Sequence, residues 1–167
     1  MESKHLLDWL RDAHAMEIEA EQMLGARIQR LERYPILQKR LKEHLAETKG
    51  QIKKLEHCMG LLGTDEATIK DVGAPPAVSS QILSATMEDE DVVKCSIAAY
   101  AFEHFEIASY KAIVKAADHA KQAEISQICR ESLEEEVAMA KWLKEHFDET
   151  TRVFLERSQD DVPNSTE

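Results

Sequence analysis

Glycine and proline are scarce in this chain, with 5 and 4 among 167 residues. A β-rich fold uses more of both at its turns, so the composition favours helices. Positive charge is scarce as well. Lysine and arginine total 21 against 32 acidic residues, for a net charge of −11. That balance argues against partners that present phosphate backbones or an anionic membrane, because both need a basic face. No stretch approaches the ~20 apolar residues of a spanning helix. The first residues, MESKHLLDWLRDAHAMEIEAE, are acidic and amphipathic and have no signal-peptide core. Cys58, Cys95 and Cys129 are odd in number, and no CxxC occurs. They read as reduced, buried cysteines of a cytoplasmic protein.

What the chain does have is helical period. The length suits a single all-α domain with a substantial core. A first helix is expected over 4–33 with Ser3 as N-cap, ending at Tyr34-Pro35 because proline restricts the residue before it. Pro35 then opens a second helix over 35–62, with Gly63 as its stop. Its inward series reads Leu37, Leu41, His44, Thr48, Ile52, Leu55, Met59 and Leu62. Residues 63–89 hold Gly73, Pro75 and Pro76 and read as a crossover between two helical hairpins. A third helix is expected over 90–118 and a fourth over 122–147, with a tight turn between them. A short terminal helix over 150–157 would pack through Val153, Phe154 and Leu155, and a flexible tail would occupy 158–167.

The apolar seams of these helices contain glutamates. Leu10, Glu17, Leu24 and Leu31 form one heptad series, Ala99, Glu106 and Ile113 a second, and Cys129, Glu136 and Leu143 a third. A carboxylate on an inward face is costly unless it is paired, protonated or bound to a metal. Glu103 lies one turn before Glu106 on the same face, and Glu135 lies at the margin beside Glu136. Folding back near residue 120 brings residue 103 level with about 137 and 106 with about 134. On the second helix, His44 and Glu47 form an H-x-x-E pair, with Glu47 toward the edge of the stripe. Tyr100 and Tyr110 stand near the same interior as hydrogen-bond donors. One inward glutamate is ordinarily a surface residue placed by accident. Several at matched heights on three helices are the pattern of a carboxylate-bridged di-iron or di-manganese site. The expected ligands are Glu17, His44, Glu47, Glu103, Glu106 and Glu136, with Glu135 as a weaker candidate.

Four stretches in order, LLDWLRDAHAMEIEAEQML, HLAETKGQIKKLE, FEHFEIASY and LEEEVAMAKWL, resemble the bacterial YciE/YciF stress-protein family of ferritin-like bundles. HAMEIEAE, Tyr34-Pro35 and TTRVFLERS bring the resemblance closer to the YciE side. It spans residues 6 to 158. It implies a cytoplasmic ferritin-like four-helix bundle, commonly a homodimer, linked to stress responses and carrying a carboxylate-rich di-metal site. Relative to the wider ferritin pattern, Met139 and Gly50 stand where E-x-x-H would place histidines after Glu136 and Glu47. The donor set is therefore oxygen-rich, which favours the higher oxidation state of iron, or manganese. Two functions follow: a di-metal oxidoreductase acting on peroxide or dioxygen, or a non-catalytic stress or scaffold bundle whose site is vestigial.

Overall fold

The computed structural model describes residues 2–64 and 91–160. Among the described residues the chain forms four helices: α1 (Glu2–Ile28), α2 (Pro35–Leu61), α3 (Val92–His119) and α4 (Ala123–Asp160). The fold is an all-α, ferritin-like four-helix bundle. α1 packs on α2 and α3 on α4, and the hairpins join through α1 on α3 and α2 on α4.

Two apolar clusters set the directions. One gathers Leu10, Met16, Leu55, Phe102, Tyr110, Ile113 and Cys129. The other gathers Leu24, Leu31, Leu37, Leu41, Ala99, Met139 and Leu143. The starts of α2 and α3 thus share one end of the bundle, and these two helices run parallel. Leu61 and Val92 stand at opposite ends. The crossover expected over 63–89 falls almost wholly outside the described residues, as does most of the tail expected over 158–167.

Several helix ends differ from the expectation. α1 begins at Glu2, before Ser3, and stops at Ile28 rather than near residue 33. Tight turns follow, from Arg30 N–H to the Arg27 carbonyl and from Tyr34 N–H to the Leu31 carbonyl. The Gln38 side chain donates to the Ile28 carbonyl at 2.9 Å, satisfying a group that the helix leaves open. The turn also lets Leu31 drop into the core. α3 starts at Val92 because the Asp91 carboxylate accepts from Val93 N–H at 2.8 Å.

The separate short helix over 150–157 is instead the continuation of α4, which runs unbroken to Asp160. No glycine or proline interrupts residues 147–157. Arg152 pairs with Glu149 and Glu156 at helical spacing, which supports an exposed turn. Phe154 packs on the second apolar cluster, whereas Leu155 is exposed rather than packed. Arg157 donates to the Arg33 carbonyl and stacks on Tyr34, tying the helix end to the α1–α2 turn.

α2 and α3 end in the same capping motif. Thr64 N–H reaches the Met59 carbonyl and Gly63 N–H the Gly60 carbonyl. Gln122 N–H reaches the Ala117 carbonyl and Lys121 N–H the Asp118 carbonyl. Each motif needs one residue in the left-handed region, filled by Gly63 (φ 82°) and by Lys121 (φ 57°). A Cβ is strained there, so the two positions respond in opposite directions to substitution. Lys121→Gly is expected to stabilise the protein by about 0.5–1 kcal/mol, and Gly63→Ala to destabilise it by about 1 kcal/mol. Urea denaturation of the two variants checks both signs.

Candidate metal centre

Between the two apolar clusters lies a buried polar layer. Leu41 belongs to one cluster and Leu55 to the other, and the inward residues between them on α2 are His44, Thr48 and Gln51. α1 adds Glu17, α3 adds Glu103 and Glu106, and α4 adds Ser132 and Glu136. Glu17, Gln51 and Glu136 are 0% exposed and His44 is 2% exposed. Each glutamate is placed by the helical repeat that buries its apolar neighbours one or two turns away.

Four of these residues converge. One ligand atom each from His44, Glu103, Glu106 and Glu136 lies within 4.8 Å of the others. His44 is held from behind, with Nδ1 2.8 Å from Glu47 Oε2. Glu47 in turn is clamped by Arg40, whose Nη2 donates to the same oxygen at 3.2 Å. The bond to His44, together with Arg40, keeps the Glu47 carboxyl below its ordinary range despite partial burial. An ionised carboxylate only accepts, so Nδ1 carries the proton. Nε2 then faces the layer, 3.5 Å from Glu103 Oε2 and 3.5 Å from Glu136 Oε2.

Other side chains fix the glutamates. Tyr110 donates to Glu17 Oε1 at 2.7 Å. Gln51 donates to Glu136 Oε1 and to Glu135 Oε2. Lys54 holds the other oxygen of Glu135 at 3.1 Å. Within the layer, Glu17 Oε2, Glu103 Oε2, Glu106 Oε2 and Glu136 Oε2 are buried with no hydrogen-bond partner among the described residues.

Burial dominates the protonation of this layer. It pushes Glu17 up to about 8, against the lowering effect of the Tyr110 hydrogen bond. Glu106 and Glu136 are raised well above the carboxylate range, first by burial and then by the neighbouring carboxylates. For His44, burial opposes the charge, but Glu103, Glu47 and Glu136 together outweigh it and raise the imidazole well above its usual value. Without a cation the layer therefore keeps protons that the unfolded chain would release.

The candidates read from the sequence divide into two groups. Glu17, His44, Glu103, Glu106 and Glu136 share the buried layer. Glu47 and Glu135 stand at its margin, on Arg40 and Lys54, and neither they nor Glu17 belong to the four-residue cluster. Gln51 replaces Ile52 as the inward residue of α2. Its place in a 44–48–51–55 stripe was available as a signal. Tyr110 reaches the layer, while Tyr100 is half-buried with its ring edge-on to His104.

Comparisons with known proteins agree with this architecture. Residues 2–156 match a family described as a domain of unknown function, DUF892. The chain belongs to this family. It is similar to a crystal structure of a protein from Xanthomonas campestris pv. campestris, with 41% identity, a TM-score of 0.79, and coverage of 95% of this chain and 99% of that one. It is similar to YcfI, a putative structural protein from Rhodopseudomonas palustris, at 25% identity and a TM-score of 0.76, over 86% of this chain and 93% of that one. The E. coli stress protein YciF shares the fold at 19% identity and a TM-score of 0.74, over 91% of this chain and 98% of that one. At 19% identity the likeness to YciF is one of fold, and it accords with the resemblance read from the sequence without separating its YciE and YciF sides.

The raised carboxylates give the metal-free DUF892 protein a defined pH response. A carboxyl raised on folding contributes stability below its unfolded value of 4.5, and that contribution is lost as pH climbs toward the folded value. For Glu17 the window runs from 4.5 to about 8. The raised His44 acts in the same direction, whereas Glu47, lowered on folding, loses its contribution only in acid. Chelated protein is expected to melt at a lower temperature at alkaline than at mildly acidic pH, and Glu17→Gln to flatten that dependence between pH 4.5 and about 8. Thermal unfolding by circular dichroism across this range is the check.

Proposed function

We propose that this DUF892 protein holds two iron or manganese ions in the buried layer and is a stress-response protein acting on peroxide or dioxygen. The observation that carries the reading is that ligand atoms of His44, Glu103, Glu106 and Glu136 lie within 4.8 Å of one another in the bundle core, where an oxygen of each of these glutamates, and of Glu17 in the same layer, has no hydrogen-bond partner among the described residues. A hard cation is the partner that such oxygens fit. Charge favours a pair of ions over one: Glu17, Glu103, Glu106 and Glu136 carry four negative charges when ionised, and two divalent cations balance them. His44 Nε2, Glu17, Glu103, Glu106 and Glu136 are the proposed ligands. Glu47 and Glu135 belong to the proposal as groups that orient His44 and Gln51, with Glu47 the nearer to a ligand role.

When bound, the metal pair would supply electron exchange with a small oxidant. The chain's own contribution is positional. Glu47 fixes the His44 tautomer, an arrangement that recurs behind metal-bound imidazoles. Tyr110 and Gln51 each occupy one oxygen of a glutamate and leave the other open. Apolar side chains above and below, Phe102 and Met139 among them, exclude water. Glu17, Glu106 and Glu136 would have to give up the protons that burial holds on them, and His44 its Nε2 proton, to act as ligands, so affinity would rise with pH. The reading places the protein in the cytoplasm as a homodimer; separately, none of the described helices is long and apolar enough to cross a membrane.

The competing reading is a structural bundle with an empty layer. The internal bonds from Tyr110 and Gln51 favour it, because they hold two of the glutamates without any ion. Elemental analysis after gel filtration separates the two. The di-metal reading expects about two equivalents of iron or manganese per chain, falling below half in a Glu106→Ala protein that still folds. It also expects chelation to lower the melting temperature at pH 8 by at least about 5 °C, since emptying the site leaves mutually repelling carboxylates. Full occupancy in Glu106→Ala would falsify the ligand assignment, and indifference to chelator would favour the structural bundle.

A further inference from the structure

A cavity of about 510 Å³ opens at the other cluster's end of the bundle, between α1, α2, α3 and the last turns of α4. Leu37, Leu41, Leu143 and Phe154 supply its apolar walls. Its charge is unusual for a chain of net −11: Arg27, Arg30, Arg33 and Arg157 line it, and no acidic residue does so among the described residues. Arg30 and Arg33 are exposed at the rim, while Arg157 is committed to the Arg33 carbonyl and the Tyr34 ring.

Arg27 differs from these. It is only 9% exposed, and its Nη2 has no hydrogen-bond partner among the described residues. Its guanidinium meets the Cys95 side chain and lies within electrostatic reach of Glu103. A buried guanidinium N–H left open in an apolar cavity is costly to the protein alone and well suited to an anion. The volume and lining match those of small-molecule sites, which are mostly apolar with a few placed polar groups.

We propose that this cavity binds an apolar monocarboxylate, in kind a medium-chain alkanoate, with its carboxylate on Arg27 and its chain along Leu37, Leu41 and Leu143. A monoanion fits better than a phosphate dianion. Arg30 and Arg33 stand at the exposed rim and Arg157 is committed to the Arg33 carbonyl and the Tyr34 ring, so Arg27 is the guanidinium left to meet a buried headgroup, and it cannot balance two charges. The cavity is adjacent to the polar layer but separate from it: Leu41 lies about one turn from His44, and Ala99 one turn from Glu103. The proposal does not depend on any metal in that layer.

Calorimetric titration of the full chain with decanoate, and with decanol as its uncharged counterpart, tests the assignment. The expected result is saturable binding of one decanoate per chain, with decanol at least about tenfold weaker. Arg27→Met should weaken decanoate by about tenfold and leave decanol unchanged, and Glu106→Ala should leave decanoate binding intact. Equal affinity for the two ligands, no saturable decanoate binding, or an Arg27→Met protein that titrates like wild type would overturn it. Tighter competition by inorganic phosphate than by decanoate would overturn the choice of monocarboxylate. The comparison of the two ligands uses wild-type protein, so it stands even if Arg27→Met fails to fold.

Discussion

Four glutamates and a histidine buried at one level of a helical bundle form the constraint around which this protein is built. Dehydrating several like charges in one place opposes folding by more than any single apolar contact returns. The structure meets that cost in three ways. Tyr110 and Gln51 donate to glutamate oxygens from inside the layer. His44 contributes an imidazole that the surrounding carboxylates favour in its charged form. The raised affinity of Glu17, Glu106 and Glu136 for protons removes charge where no cation is present.

The rest of the bundle follows from keeping that layer in register. Two apolar clusters sit on either side of it and supply the burial that offsets its cost. The capped ends of α2 and α3 set the lengths of their helices, and the Arg157–Tyr34 stack anchors the long α4 to the α1–α2 turn. Arg40 and Lys54 hold Glu47 and Glu135 at the margin, where solvent reduces the cost of their charge. The ring of polar support around His44 and the glutamates is as much a part of the site as the inward oxygens themselves.

The helices and the inward glutamates were legible because α-helical burial is periodic. Leu10, Glu17, Leu24 and Leu31 repeat every seven residues, and all four are buried. The same holds for Ala99, Glu106 and Ile113, and for Cys129, Glu136 and Leu143. Helix ends were less legible. The stop of α1 at Ile28 depends on Gln38, ten residues on, and the length of α4 on surface pairs and on a docking contact with the α1–α2 turn. Ile52 and Gln51 exchanged roles because either can follow Thr48 on a helical stripe; packing against α4, where Glu136 accepts from Gln51, decides which turns inward.

The sequence by itself determined that the chain is all-α, where its helices lie, and that glutamates occupy their inward faces. These are local properties, written in a repeat of about 3.6 residues and in the turn chemistry of glycine and proline. Tertiary structure alone decided which carboxylates share a site. Glu17 meets Tyr110 across 93 positions and Gln51 meets Glu136 across 85. Glu47 and Glu135, as acidic as the rest and close to the same stripes, are held aside by Arg40 and Lys54. The open Nη2 of Arg27 and the cavity it faces are likewise products of packing. Periodicity fixes the face on which a side chain stands, but its partner is set by how four such faces close on one another.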